Sequence, residues 1–200
     1  MPPKKPNART RIGRPTTAKE PTMKQENIVL VGFMGTGKTS VANQLARLSA
    51  MPLLDMDTMI EARAGKPITR IFAEEGEPAF RKIEHALAAE LATPSGSIIS
   101  TGGGIVLNQD NIRLLSEGGL VVCLQASIDE ILRRVQHDTT RPLLQGLDRR
   151  AKVAALLDAR AHLYRTIPYQ IHTDGRTIAD IADEIITAYQ HHQALPTSSN

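Results

Sequence analysis

A chain of 200 residues that is 41% hydrophobic can bury one sizeable core and is short for two. Its one cysteine, Cys123 in "LVVCLQ", excludes a disulfide framework and suits a buried structural thiol in a reducing compartment, so a cytoplasmic protein is expected. No apolar run approaches the roughly eighteen residues of a spanning helix, no apolar core follows the basic start as export would require, and the net charge of +3 is too unevenly placed to indicate a nucleic-acid partner.

That charge belongs to the first 24 residues, "MPPKKPNARTRIGRPTTAKEPTMK", which hold seven Lys or Arg, one acid and five prolines. They have too few large apolar side chains to offset chain entropy, so residues 1–24 are expected to be a disordered, solvated tail, with Met23 as an alternative start. Arginines and scarce acids fit a transit peptide, whereas the prolines and the shortage of serine do not. Beyond the tail, 17 basic residues face 20 acidic ones. A single domain over residues 25–190 with a flexible end at 191–200 is the expected organisation.

Ile28–Val31 reads as a buried strand, and "GFMGTGKT" follows it directly. The segment fits G-x-x-x-x-G-K-[ST] with Gly32, Gly37, Lys38 and Thr39 in the defining places. A plain strand-to-helix turn would also use glycine, but the context is that of a phosphate cradle. Gly35, Thr36 and Gly37 are small enough to let backbone N–H groups wrap an anion, and the next helix adds its positive end. Lys38 would reach the β- and γ-phosphates and Thr39 a magnesium ion. "TSVANQLARLSA" supplies that helix, with Val41, Leu45 and Leu48 on one face.

Leu53–Asp55 is the second strand candidate, ending in "LLDMDTM". Asp55 and Asp57 would share a direction if the strand continued, and Asp57 is also a candidate cap for Thr58–Ala64. Beside a phosphate cradle they gain a second meaning, because phosphoryl transfer needs a metal partner and a group that orients the attacking hydroxyl. "PAFRKIEHALAAEL" reads as a helix that puts Arg81 and Glu84 on one face, where a surface ion pair is the plainer account, and Phe80 reads as core.

Ser97–Ser100 is the third strand, and it runs into "STGGGIVL". Gly102, Gly103 and Gly104 at its carboxyl end form either a loose turn or a bare backbone against which a small polar ligand can lie. Leu120–Leu124 and Tyr169–His172 complete the strands. Between them "RRVQHDTTRPLLQGLDRR" reads as a loop or as a lid that brings Arg141 to the transferring group and excludes water, and Arg160 in "LLDARAHLY" is a further guanidinium on a helix. Alternating strands and helices predict an α/β fold with a parallel sheet, its ligands at the carboxyl ends of the strands. These residues indicate a kinase of a small anionic or polyhydroxylated molecule.

Taken together, "GFMGTGKT", "DMD", "FRKIE", "TGGG" and "TTRPLL", in this order, resemble the shikimate kinase family from about Asn27 to Tyr189. The resemblance implies a P-loop kinase fold, a three-layer αβα arrangement around a five-stranded parallel sheet with a mobile lid, in a monomer that moves the γ-phosphoryl group of ATP to the 3-hydroxyl of shikimate. It implies that Gly35, Thr36, Gly37, Lys38, Thr39 and Ser40 hold the nucleotide, with magnesium on Thr39 and Asp55. It implies that Asp57 orients or deprotonates the nucleophile and that Arg81 and Arg160 grip the shikimate carboxylate, a task suited to a planar guanidinium fork. Gly102, Gly103 and Gly104 would line the acceptor, Glu84 would position Arg81, and Arg141 would stabilise charge on the transferring group. Arg134 and Arg176, the latter in "TDGRT", correspond to the family's adenine contacts. Ile178 stands where the family often has proline, and "AHLY" after Arg160 lacks a proline usual before its leucine-tyrosine pair. A gluconate-type kinase and a kinase-like ligand sensor are the rivals; the paired arginines oppose the first, and the retention of Lys38, Asp55, Asp57 and Arg141 opposes the second.

Overall fold

The computed structural model describes residues 25–136 and 148–194. Its centre is a parallel sheet of β1 (Asn27–Gly32), β2 (Leu53–Asp55), β3 (Ile98–Ser100), β4 (Gly119–Gln125) and β5 (Tyr169–His172), in the order β2-β3-β1-β4-β5. Every pairing is parallel, with Leu30 beside Ser100 on one side and Val122 on the other. β1 is central, with later strands on both its edges, so the sheet opens a crevice where β1 ends at Gly32.

The strands are apolar on both faces because helices cover both. Ile28 and Leu30 pack with Val122 and Leu124 against α1 (Lys38–Ser49) and α8 (Ile178–Ala194), through Val41, Leu45, Ile181 and Ile185. Val29 and Val31, one residue out of phase, pack with Val121 and Cys123 on the other face. There they meet α2 (Met56–Ala64), α3 (Ile68–Glu75), α4 (Glu77–Leu91), α5 (Gln109–Glu117), α6 (Ile128–Arg134) and α7 (Arg149–Tyr164). This is the expected three-layer arrangement. Burial pushes the Cys123 thiol up to about 12, so it stays a neutral packing group.

Three local expectations need correction. Leu48 is 49% exposed, because the buried stripe of α1 runs through Val41, Ala42 and Leu45 and continues toward Ser49, one position to the side. Ser97 stands just before β3, its N–H taken at 3.0 Å by the buried Asn27 side chain, which also accepts from Ser95 and donates to Leu91 and Thr93 carbonyls. The cap of α2 is Asp55, not Asp57. Its Oδ1 accepts from the Thr58 N–H at 3.0 Å and the Thr58 hydroxyl at 3.1 Å. Pairing of Asp55 with Ser100 in the ladder ends the strand there, so the helix starts at Met56 and Asp57 falls in its first turn.

The expected tail lies outside the described residues. α8 continues through Ala194, so the boundary expected at residue 190 falls within a helix.

Candidate active site

Gly32 leaves β1 at φ 150°, where a Cβ would lie 2.4 Å from the Leu124 carbonyl oxygen, so no side chain fits. Within the loop the Thr36 hydroxyl donates to the Phe33 carbonyl at 2.8 Å. Gly37 then opens α1 with φ 98° and no side-chain cap. The N-termini of α5, α6 and α7 are closed by Asn108, Ser127 and Asp148. α1 shares the lack of a side-chain cap with α3 and α4, but it alone of these follows the glycine loop after β1, the arrangement that the phosphate-binding motif uses. Lys38 Nζ curls over the loop and donates to the carbonyls of Gly32 at 2.8 Å and Phe33 at 3.1 Å. Thr39 and Ser40 are exposed beside it.

The glycine run after β3 faces three charged groups at close range. A Cβ on Gly102 would sit 2.8 Å from Asp57 Oδ1 and 3.3 Å from Glu84 Oε1; one on Gly104 would sit 2.5 Å from Arg81 Nη2. Bare backbone therefore lets Asp57, Glu84 and Arg81 close on one point at the carboxyl end of the sheet.

Arg81 and Glu84 are more than the surface pair that spacing alone suggests. Glu84 is buried, and its Oε2 accepts from Arg81 Nη1 at 2.7 Å. Burial pushes its carboxyl above the usual carboxylate range; Arg81 opposes this, and the charges of Asp57 and Glu77 add to it. Burial lowers Arg81 in turn, but Glu84 and Glu77 outweigh that and raise it, so the guanidinium stays charged. Phe80 is core, as expected, and its ring lies 5.0 Å under the Arg81 guanidinium and 4.8 Å from Phe72.

Arg160 approaches from α7. Its guanidinium stands over the Phe33 ring at 5.9 Å, and Nη1 reaches the Gly103 carbonyl at 3.4 Å. Tyr164, one turn later, donates its hydroxyl to the same carbonyl at 2.8 Å. Burial pushes this phenol up to about 12, so it remains a donor at any physiological pH. Tyr164 enters the sequence reading only as part of the leucine-tyrosine pair after Arg160, with no role attached; its place four residues after Arg160, on the same helix face, points to the contact.

On the far side of the loop, Arg134 donates to the Gly35 carbonyl (3.3 Å), the Thr173 hydroxyl (3.0 Å) and the Thr173 carbonyl (3.1 Å), while Glu130 anchors its Nε. It ties the loop to the turn after β5. Arg176, in that turn, faces α8, pairing with Glu184 at 2.6 Å and donating to the Asp180 carbonyl. Arg141, with the lid expected around it, lies outside the described residues.

Residues 34–190 match the family model described as shikimate kinase. The chain is 48% identical over 159 residues to the shikimate kinase of Moorella thermoacetica, covering 80% of this chain and 91% of that one. Shikimate kinase from Acinetobacter baumannii, solved in complex with shikimate, superposes with a TM-score of 0.79 at 36% identity, over 86% of this chain and 96% of that one. A gluconokinase from Sinorhizobium meliloti shares the fold at a TM-score of 0.55 and 18% identity, over 88% of this chain and 99% of that one.

Proposed function

This chain belongs to the shikimate kinase family, and on that premise we propose how its residues divide the work of moving the γ-phosphoryl group of ATP to the 3-hydroxyl of shikimate. The reaction is an ATP-dependent phosphorylation that gives shikimate 3-phosphate and ADP, a step of aromatic amino acid biosynthesis. The observation that carries the assignment of roles is the convergence of Asp57, Glu84 and Arg81 on the glycines after β3, with Arg160 joined to Gly103 from the opposite side.

The open N-terminus of α1 and Lys38 bind the β- and γ-phosphates, with Gly35, Thr36, Gly37 and Ser40 around them. Arg81 and Arg160 hold the acceptor by its carboxylate, and Glu84 fixes Arg81 through the bond to Nη1. The backbone from Gly102 to Gly104 receives the ring hydroxyls. Asp57 orients the 3-hydroxyl and takes its proton as the oxygen attacks the γ-phosphorus and the bond to the bridging oxygen of ADP breaks. Arg141 supplies positive charge from the lid, and Arg134 and Arg176 flank the adenine.

The residues fit a magnesium ion. Thr39 offers an exposed hydroxyl, and Asp55 takes both of its bonds from Thr58 on Oδ1, which leaves Oδ2 for a hard cation among the described residues. No cluster of three or more His, Cys, Asp or Glu among the described residues would cage a metal alone, as suits an ion shared with nucleotide phosphates. When bound, magnesium neutralises charge on the β- and γ-oxygens. No described helix is long and apolar enough to cross a membrane. In this reading, with its one thiol buried, the enzyme is cytoplasmic, and it is a monomer as the family resemblance implies.

ADP release measured with shikimate, gluconate, quinate or no acceptor tests the assignment. Shikimate alone should stimulate strong turnover; ATP binding without any acceptor turnover would leave the fold without its chemistry. Arg81→Ala is expected to raise KM for shikimate by roughly ten- to a hundredfold, about the loss of one charged bidentate contact, with KM for ATP within twofold. Equal effects on both substrates would count against carboxylate recognition. Tyr164→Phe should lower stability by about 1 kcal/mol in denaturant unfolding, since a half-buried carbonyl loses its shorter hydrogen bond, and should raise KM for shikimate more than KM for ATP. An unchanged midpoint would show that water replaces the hydroxyl.

A further inference from the structure

We propose that Glu77 is an exchangeable stand-in for the acceptor's carboxylate, a side chain that holds one edge of the Arg81 fork and must leave before shikimate can be gripped there. The inference rests on the reading that Arg81 receives the shikimate carboxylate.

Arg81 carries two carboxylates of different character. Glu84 takes Nη1 at 2.7 Å with a side chain only 2% exposed. Glu77 takes both Nε at 3.1 Å and Nη2 at 2.8 Å on its single Oε1, with a side chain 54% exposed. The Nε and Nη2 edge is one that a carboxylate can grip with two parallel bonds. Glu84 is therefore the permanent counter-ion, and Glu77 occupies donors that an incoming acid wants.

Local structure explains why Glu77 stays near and why it can go. It lies in the first turn of α4, where the helix end favours negative charge, four residues before Arg81 and on the same face. Beside it a surface depression of about 430 Å³, lined by Glu77, Pro78, Arg81, Leu107 and Asn108, has room for the displaced side chain. Charge requires the exchange. Glu84 and Glu77 both bear on Arg81, so a further carboxylate added without removing Glu77 would make a third negative group around one guanidinium. Glu77 thus sets a threshold that an acid passes only if it also engages Arg160, which favours ligands whose carboxylate and hydroxyls fit together.

Glu77→Gln tests this, because it keeps the shape and removes the charge. KM for shikimate should fall about two- to fivefold, the range of an exposed ion pair, with kcat and KM for ATP unchanged. In an Arg81→Ala background the same substitution should have no effect on KM. If Arg81→Ala raises KM while Glu77→Gln leaves it unchanged or raises it, Glu77 is a positioning group and the proposal is overturned alone. If Arg81→Ala leaves KM for shikimate unchanged, the reading beneath it fails as well.

Discussion

Asp57→Asn is expected to lower kcat for shikimate phosphorylation by roughly 10²- to 10⁴-fold, the usual range for losing a positioned general base. Asparagine keeps the size and the hydrogen-bonding reach, so the helix start should survive, the more so because Asp55 and not Asp57 caps α2. Structure and charge therefore separate at this residue. The carboxylate Oδ1 stands against Gly102, beside Glu84, in the glycine run assigned to the acceptor. ATP affinity from equilibrium titration should stay within about twofold, since uniform nucleotide binding is untouched. An unchanged kcat would remove Asp57 from the chemistry and leave it as a charged wall of the acceptor site.

The local parts of this site are legible in the amino-acid sequence. β1 and the loop after it are consecutive, so motif and neighbouring pattern support each other, and Arg81 and Glu84 lie three apart on one helix. Contacts fixed by tertiary packing are not legible in that way. The bond from Tyr164 to the Gly103 carbonyl joins residues 61 apart in sequence, and Arg134 reaches Gly35 across 99. The Asp55 cap depends on where β2 stops, which its pairing with β3 decides. Leu48 has the right residue type for a buried helix face but lies a position to the side of the stripe that the sheet and α8 cover. Glu77 has the same spacing to Arg81 that any surface pair has; only its convergence on two donors gives that spacing a role.

Lys38→Ala should reduce kcat by about 10³-fold or more, at the upper end of what losing one preorganised electrostatic contact costs. Nζ is held 2.8 Å and 3.1 Å from the carbonyls of Gly32 and Phe33, which places the ammonium at the loop where the phosphates are assigned. Charge on the β–γ bridging oxygen grows as the γ-phosphoryl leaves, and a cation placed there stabilises the transition state more than bound ATP. The loss should accordingly appear mainly in kcat, with a smaller weakening of ATP binding, because the N–H groups at the uncapped start of α1 remain. Lys38→Arg should recover little of it: the planar guanidinium is broader than an ammonium and cannot follow the same path between the two carbonyls. Full activity in Lys38→Ala would mean that the loop only turns the chain, and the nucleotide would have to be sought elsewhere along the carboxyl edge of the sheet.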